Sequence, residues 1–191
     1  MIRQLKKNTI FPFKCSILIF MLTFLISCTA SQQYYQGIFN NDPLDLPIDT
    51  PQKINLLQHD LASLSDNVNL DEGRQLAETS INYSLHLAGK YKLVRPPFLH
   101  NILVRLGIKD RGLCYQWTED LMKRLTSLQL KSFSFHEGVA HRGNDLREHN
   151  TVVVTARGQE FNEGIVLDPW RNSGELYWAT VITDRYPWEE R

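Results

Sequence analysis

The period of the hydrophobic pattern changes once along this 191-residue chain, near residue 132, and that change limits the folds open to it. Before it, apolar residues recur at three- and four-residue spacing. Ile54, Leu57, Leu61 and Leu64 follow Thr50 and Pro51, which supply an N-cap and a first-turn proline. A second helix is predicted from Asp71 to Ala88, burying Ala77, Ile81 and Leu85, with Gly89 placed to cap it. Pro96-Pro97 opens a short third segment, FLHNILVRL, which stops at Gly107. Cys114, Trp117, Leu121, Leu125 and Leu128 mark one face of a fourth helix, on which Glu119 and Asp120 precede Lys123 and Arg124 in the order the helix dipole prefers. Beyond residue 132, Phe133 and Phe135 alternate with serines. VVVTA and GIVLD are β-branched runs, and LYWATVI reads as a further strand. Helices first and strands second predict an α+β domain with an antiparallel sheet.

The N-terminus has a different composition. Residues 1–14 carry Arg3, Lys6, Lys7 and Lys14 and no acid, and CSILIFMLTFLIS follows. A basic stretch before a short apolar one is a secretory signal, since a membrane span needs about 20 apolar residues. Leu25-Ile26-Ser27-Cys28 resembles the bacterial lipobox, whose cysteine becomes the lipidated first residue of the mature chain. Ordinary cleavage near Ser27 is the alternative. By analogy with enterobacterial lipoproteins, Thr29 after Cys28, where no Asp stands, implies the outer membrane if the host is Gram-negative. The expected organisation is a signal peptide over 1–27, a lipidated cysteine and polar tether over 28–48, and a domain over 49–191.

Without the four basic residues of 1–27, the remainder has 17 basic against 21 acidic residues, a formal charge of −4. No long basic run is left, which argues against nucleic acid as a partner. Of three cysteines, Cys15 leaves with the leader and Cys28 is acylated, so Cys114 is alone in an oxidising compartment. A lone thiol there is either a small buried hydrophobe or a reactive group. Its position favours the second. A helix N-terminus lowers a thiol pKa, and the N–H groups there can face a developing oxyanion. Gly112 permits a tight approach to that helix.

A reactive thiol needs a base, and His136, His141 and His149 follow it. HEGVAH is no zinc motif. Its histidines are five apart and share no helix face, so neither metal nor other cofactor is expected. His149 begins the strand HNTVVVTAR, and the strand EFNEGIVLD ends in Asp168. A two-residue turn at Gly158-Gln159 would set Arg157 opposite Glu160, Thr151 opposite Val166, Val152 opposite Ile165 and His149 opposite Asp168. Directly opposed residues have Cβ atoms about 5 Å apart, so the carboxylate could orient the imidazole. Trp170, two residues on, is expected to pack near the pair and limit water there.

GLCYQWTEDL, HNTVVV and GIVLDPW, in that order, resemble the Cys, His and Asp motifs of the transglutaminase-like branch of the papain-like superfamily. The resemblance covers about residues 50–185. It implies a cysteine-bearing helix packed on an antiparallel sheet, and acyl transfer with Cys114 as nucleophile, His149 as base and acid, and Asp168 as orienter. It further implies a peptidase or amidase acting on a protein or cell-wall peptide, which the lipobox would hold to the membrane. A catalytically inactive binding lipoprotein and a protein-glutamine acyltransferase remain open alternatives. Papain-type enzymes carry a glutamine shortly before the cysteine for the oxyanion hole. Here GIKDR precedes Gly112, so the second oxyanion donor has no candidate.

Overall fold

Four helices precede a five-stranded antiparallel sheet in the computed structural model, which describes residues 49–144 and 147–191. The signal peptide, Cys28 and the tether lie outside the described residues. The helices are α1 (Thr50–Ala62), α2 (Leu70–Lys90), α3 (Pro97–Arg105) and α4 (Cys114–Thr126). The strands are β1 (Phe133–Ala140), β2 (His149–Ala156), β3 (Ile165–Asn172), β4 (Glu175–Thr180) and β5 (Trp188–Glu190), in the spatial order β4-β3-β2-β1-β5. The class is α+β, as the change of period predicts. Among the described residues, no helix is long and apolar enough to cross a membrane.

Helix ends follow side-chain chemistry more closely than the pattern alone suggests. Asp49, one residue before Thr50, caps α1 by accepting from the Gln52 N–H at 2.8 Å. Asn69 caps α2, which runs through Gly89 to Lys90 and ends at Tyr91, with Lys92 in the left-handed region at φ 48°. On α2, Leu76, Ala77, Ile81 and Leu87 are buried, whereas Leu85 is 43% exposed and Ser84 is buried in its place. Ser84 Oγ donates to the Ser80 carbonyl at 2.6 Å, and the β3–β4 turn packs on this part of α2, since a Cβ on Gly174 would come 2.4 Å from Ala88 Cβ.

β2 is buried along its whole length, because both sheet faces are covered. Val152, Val154 and Ala156 pack with Leu57, Leu61, Leu76, Leu121 and Leu125 on the helical side. Val153 joins Phe161, Val166, Val181 and Trp188 on the other. The apolar stripe of α4 therefore lies on the sheet, and the N-terminus of that helix comes up beside the first residues of β2.

The β2–β3 register differs from the expected one by two residues. Val152 opposes Leu167, Val153 opposes Val166 and Val154 opposes Ile165. The connection is longer than a two-residue turn, because Phe161–Glu163 form a 3-10 turn and only Ile165 starts the strand. Phe161 is 8% exposed, packed against Val153 and Val166, and the Glu163 carboxylate accepts from the Glu160 N–H at 2.8 Å. Burying that ring outweighs the tight turn. β4 stops at Thr180, leaving Val181 in the core and Ile182 exposed. β5, which pairs with β1, has no counterpart in the sequence pattern.

Candidate active site

A two-residue slip keeps every side chain on its face, since the strand period is two. The β2–β3 pairs run from Val154–Ile165 to Val152–Leu167, so Asp168, one residue past Leu167, is no longer directly opposite His149. The imidazole still reaches the carboxylate: His149 Nε2 donates to Asp168 Oδ2 at 2.7 Å. The connection is longer than the expected two-residue turn, yet the pair is kept, because side chains on one sheet face still reach each other across a two-residue slip. Trp170 packs on His149 with ring centroids 4.7 Å apart, as expected. Tyr186 and Trp188 add two more rings, at 5.1 and 5.5 Å. His149 is 3% exposed and Asp168 fully buried.

Cys114 is the first residue of α4, after the extended Leu113. Four side chains hold the segment before it. His100, fully buried, donates from Nε2 to the Arg111 carbonyl at 2.9 Å and accepts at Nδ1 from the Val94 N–H. Arg111 bonds Asp120 at 2.7 Å and Glu119 at 2.9 Å, so these acids anchor the approach to the helix rather than serving its dipole alone. Gln116 Oε1 accepts from the Gly112 and Leu113 N–H groups, and Trp117 Nε1 donates to the Gly112 carbonyl. Gly112 itself sits at φ 130°, and a Cβ there would come 2.3 Å from His100 Nε2, so only glycine fits.

Cys114, His149 and Asn150 line one cleft of about 630 Å³. Phe98, Ile102 and Tyr115 on its rim are 67%, 39% and 43% exposed. The sulfur is partly buried, with the Glu148 carbonyl at 3.8 Å and the Asn150 amide nitrogen at 3.7 Å. His149 Nδ1 is buried and makes no hydrogen bond. Thiol and imidazole nonetheless shift each other. Burial alone would raise the Cys114 pKa, but the imidazole of His149, then the side chain and N–H of Asn150, hold it below the ordinary thiol value. Burial would lower the His149 pKa, but the Asp168 carboxylate, then Cys114, raise it to about 9. Each charge favours the other: the imidazolium stabilises the thiolate, and the thiolate the imidazolium.

Asp168 is itself held. Its Oδ1 accepts from the Arg171 N–H at 3.1 Å and its Oδ2 from Arg171 Nε at 3.0 Å. Arg171 then makes a two-pronged pair with Asp184 at 2.9 and 2.7 Å, and its guanidinium lies 3.9 Å from the Tyr177 ring centroid. Asp184 also accepts from Trp188 Nε1 and the Tyr186 N–H, fixing the segment that carries two of the three rings on His149. Burial would raise the Asp168 pKa, but His149 and Arg171 hold it below the carboxylate range. Neither Arg171 nor Asp184 was singled out by pattern, although the short spacing Asp168–Arg171 on a strand end is a weak signal for such a pair. His136 meets Glu190 and Thr155 instead of the thiol, and His141 stands on the cleft wall against Tyr186.

No protein-family model, curated protein or solved structure matches the chain.

Proposed function

We propose that this protein is a lipid-anchored cysteine hydrolase of transglutaminase-like type, a peptidase or amidase of the cell envelope. The carrying observation is the His149 ring, with Nε2 on Asp168 at 2.7 Å and the buried Nδ1 unpartnered in a cleft shared with Cys114. An imidazole so oriented can return a proton through Nδ1. In the first step the Cys114 thiolate attacks the amide carbonyl, forming a C–S bond while the C=O π pair moves to oxygen. Collapse breaks the C–N bond, His149 Nδ1–H protonates the departing amine, and a thioester remains. Water, deprotonated by the same nitrogen, then releases a carboxylic acid and the free thiol. The exposed apolar rim at Phe98, Ile102 and Tyr115 supports a peptide or protein substrate, whose side chains could rest there.

One observation favours a non-catalytic binding lipoprotein. The thiol lies 3.8 Å from the Glu148 carbonyl, and His149 Nδ1 has no hydrogen-bond partner. A thiol-directed activity-based probe applied to native protein separates the two. Wild type is expected to label at Cys114 and Cys114→Ala to remain unlabelled. Envelope proteomes of the two strains should then differ in cleaved products, and whether water or an amine ends the acyl chain distinguishes hydrolysis from transamidation. Labelling no faster than that of the denatured chain would favour the binding lipoprotein.

The anchor has its own test. Cys28→Ala is expected to release the protein from the membrane fraction while the unfolding midpoint of the domain stays unchanged. Retention of the variant through a high-salt wash would rule out the lipobox.

A further inference from the structure

We propose that Asn150 supplies the second oxyanion donor of the Cys114 site, and that Arg191 positions its amide. This rests on the acyl-transfer reading above. Asn150 continues the β2 row of Val152 and Val154 toward the helical side and is 4% exposed. Its Nδ2 lies 3.7 Å from Cys114 Sγ. Its Oδ1 accepts from the Arg191 guanidinium. Arg191 is pinned in turn by Glu148 at 2.9 Å and Glu137 at 2.8 Å.

The amide orientation is therefore determined. Turning it over would set the Asn150 –NH₂ against a guanidinium, donor against donor, and leave a carbonyl oxygen facing the thiolate. As placed, the –NH₂ faces the nucleophile from outside the helix. The tetrahedral oxygen is carried by the carbon bonded to Sγ, one bond angle from the sulfur. A donor 3.7 Å from Sγ can reach that oxygen within hydrogen-bond distance without moving its backbone. As the first residue of α4, Cys114 has an N–H that no intrahelical carbonyl takes up, so it can serve as the first donor to that oxygen. A buried, pre-oriented amide needs no reorganisation as charge develops, which is where such donors are most effective.

Two thiol reagents separate oxyanion stabilisation from an effect on the thiolate. p-Nitrophenyl acetate acylates Cys114 through a tetrahedral oxyanion. Iodoacetamide alkylates it by displacement at a saturated carbon, with no oxyanion. Both rates are read on the full-length protein at the Cys114 peptide by mass spectrometry. In Asn150→Ala, acylation should fall about 10²–10³-fold while alkylation falls less than about tenfold. Arg191→Ala, at a partly exposed side chain that leaves the core intact, should reproduce part of the acylation loss, and Arg191→Lys should restore some of it. Equal losses with both reagents, or no loss of acylation in Asn150→Ala, would overturn the assignment. Wild-type acylation no faster than that of the denatured chain would remove the acyl-transfer reading itself, and this assignment with it.

Discussion

Asp168→Asn is expected to slow acylation of Cys114 by about 10²–10⁴-fold while leaving the domain folded. The amide can keep its oxygen toward His149 Nε2 and Arg171 Nε by turning its –NH₂ toward the Arg171 N–H, the lesser of the two conflicts. Geometry then largely survives, but the negative charge does not. That charge is the largest influence raising the His149 pKa to about 9, against burial that pulls it down. Without it the imidazole should be neutral at pH 7, and the thiol should lose the cation that holds it ionised. Single-turnover acylation measures the rate, and the His149 ring protons report its titration by NMR. A rate within tenfold of wild type, or an unmoved His149 pKa, would remove Asp168 from the mechanism.

Arg171→Leu should have the larger effect on stability, a loss of about 3–5 kcal/mol in urea unfolding, because it strands two buried carboxylates without their cation. The side chains of Asp168 and Asp184 have no exposed surface, and that of Arg171 is 6% exposed. Asp184 also holds Tyr186 and Trp188, so the rings over His149 should loosen in the variant. The pH dependence of the wild type follows from the directions of the shifts. Asp168 and Asp184 are lowered on folding, so their contribution is complete above the ordinary carboxylate range and is lost as pH falls through the folded values. His149 is raised from 6.5 to about 9, so its contribution is complete below about 6.5 and is lost as pH rises through about 9. Cys114 is lowered over the same range and offsets that alkaline loss, so stability should fall chiefly on the acid side, and in Arg171→Leu the acid limb should move to higher pH. A variant less than about 1 kcal/mol weaker than wild type would mean that the buried pair is dispensable.

Local features were legible in the sequence, and features set by distant partners were not. The α4 stripe could be read because one face of one helix meets one layer, and Trp117, Leu121 and Leu125 are indeed buried. The same reasoning misplaced Leu85, since nothing near it in sequence reveals that the β3–β4 turn packs against α2 at Ala88. The hairpin register missed by two because Phe161 was assigned to a strand, whereas its ring is drawn into the core under Val153. His149 and Asp168 met all the same, because a slip of two preserves the face. Tyr186 and Trp188 were invisible as site residues, for they reach His149 only through the pairing of β5 with β1. Asn150 was hidden by strand alternation. It faces away from His149, yet both residues reach the start of α4, where helix and strand ends meet.

The state of the Cys114–His149 pair is tested most directly by the rate of iodoacetamide alkylation at Cys114 as a function of pH. A thiolate beside an imidazolium should react at a nearly constant rate from well below the ordinary thiol pKa of about 8.5 up to about pH 9. In His149→Ala the profile should move up to, or beyond, that of an ordinary thiol, because burial alone raises the Cys114 pKa. A wild-type profile that rises only near or above pH 8.5 and does not respond to His149→Ala would contradict the account, leaving Cys114 a small buried hydrophobe at the head of a helix.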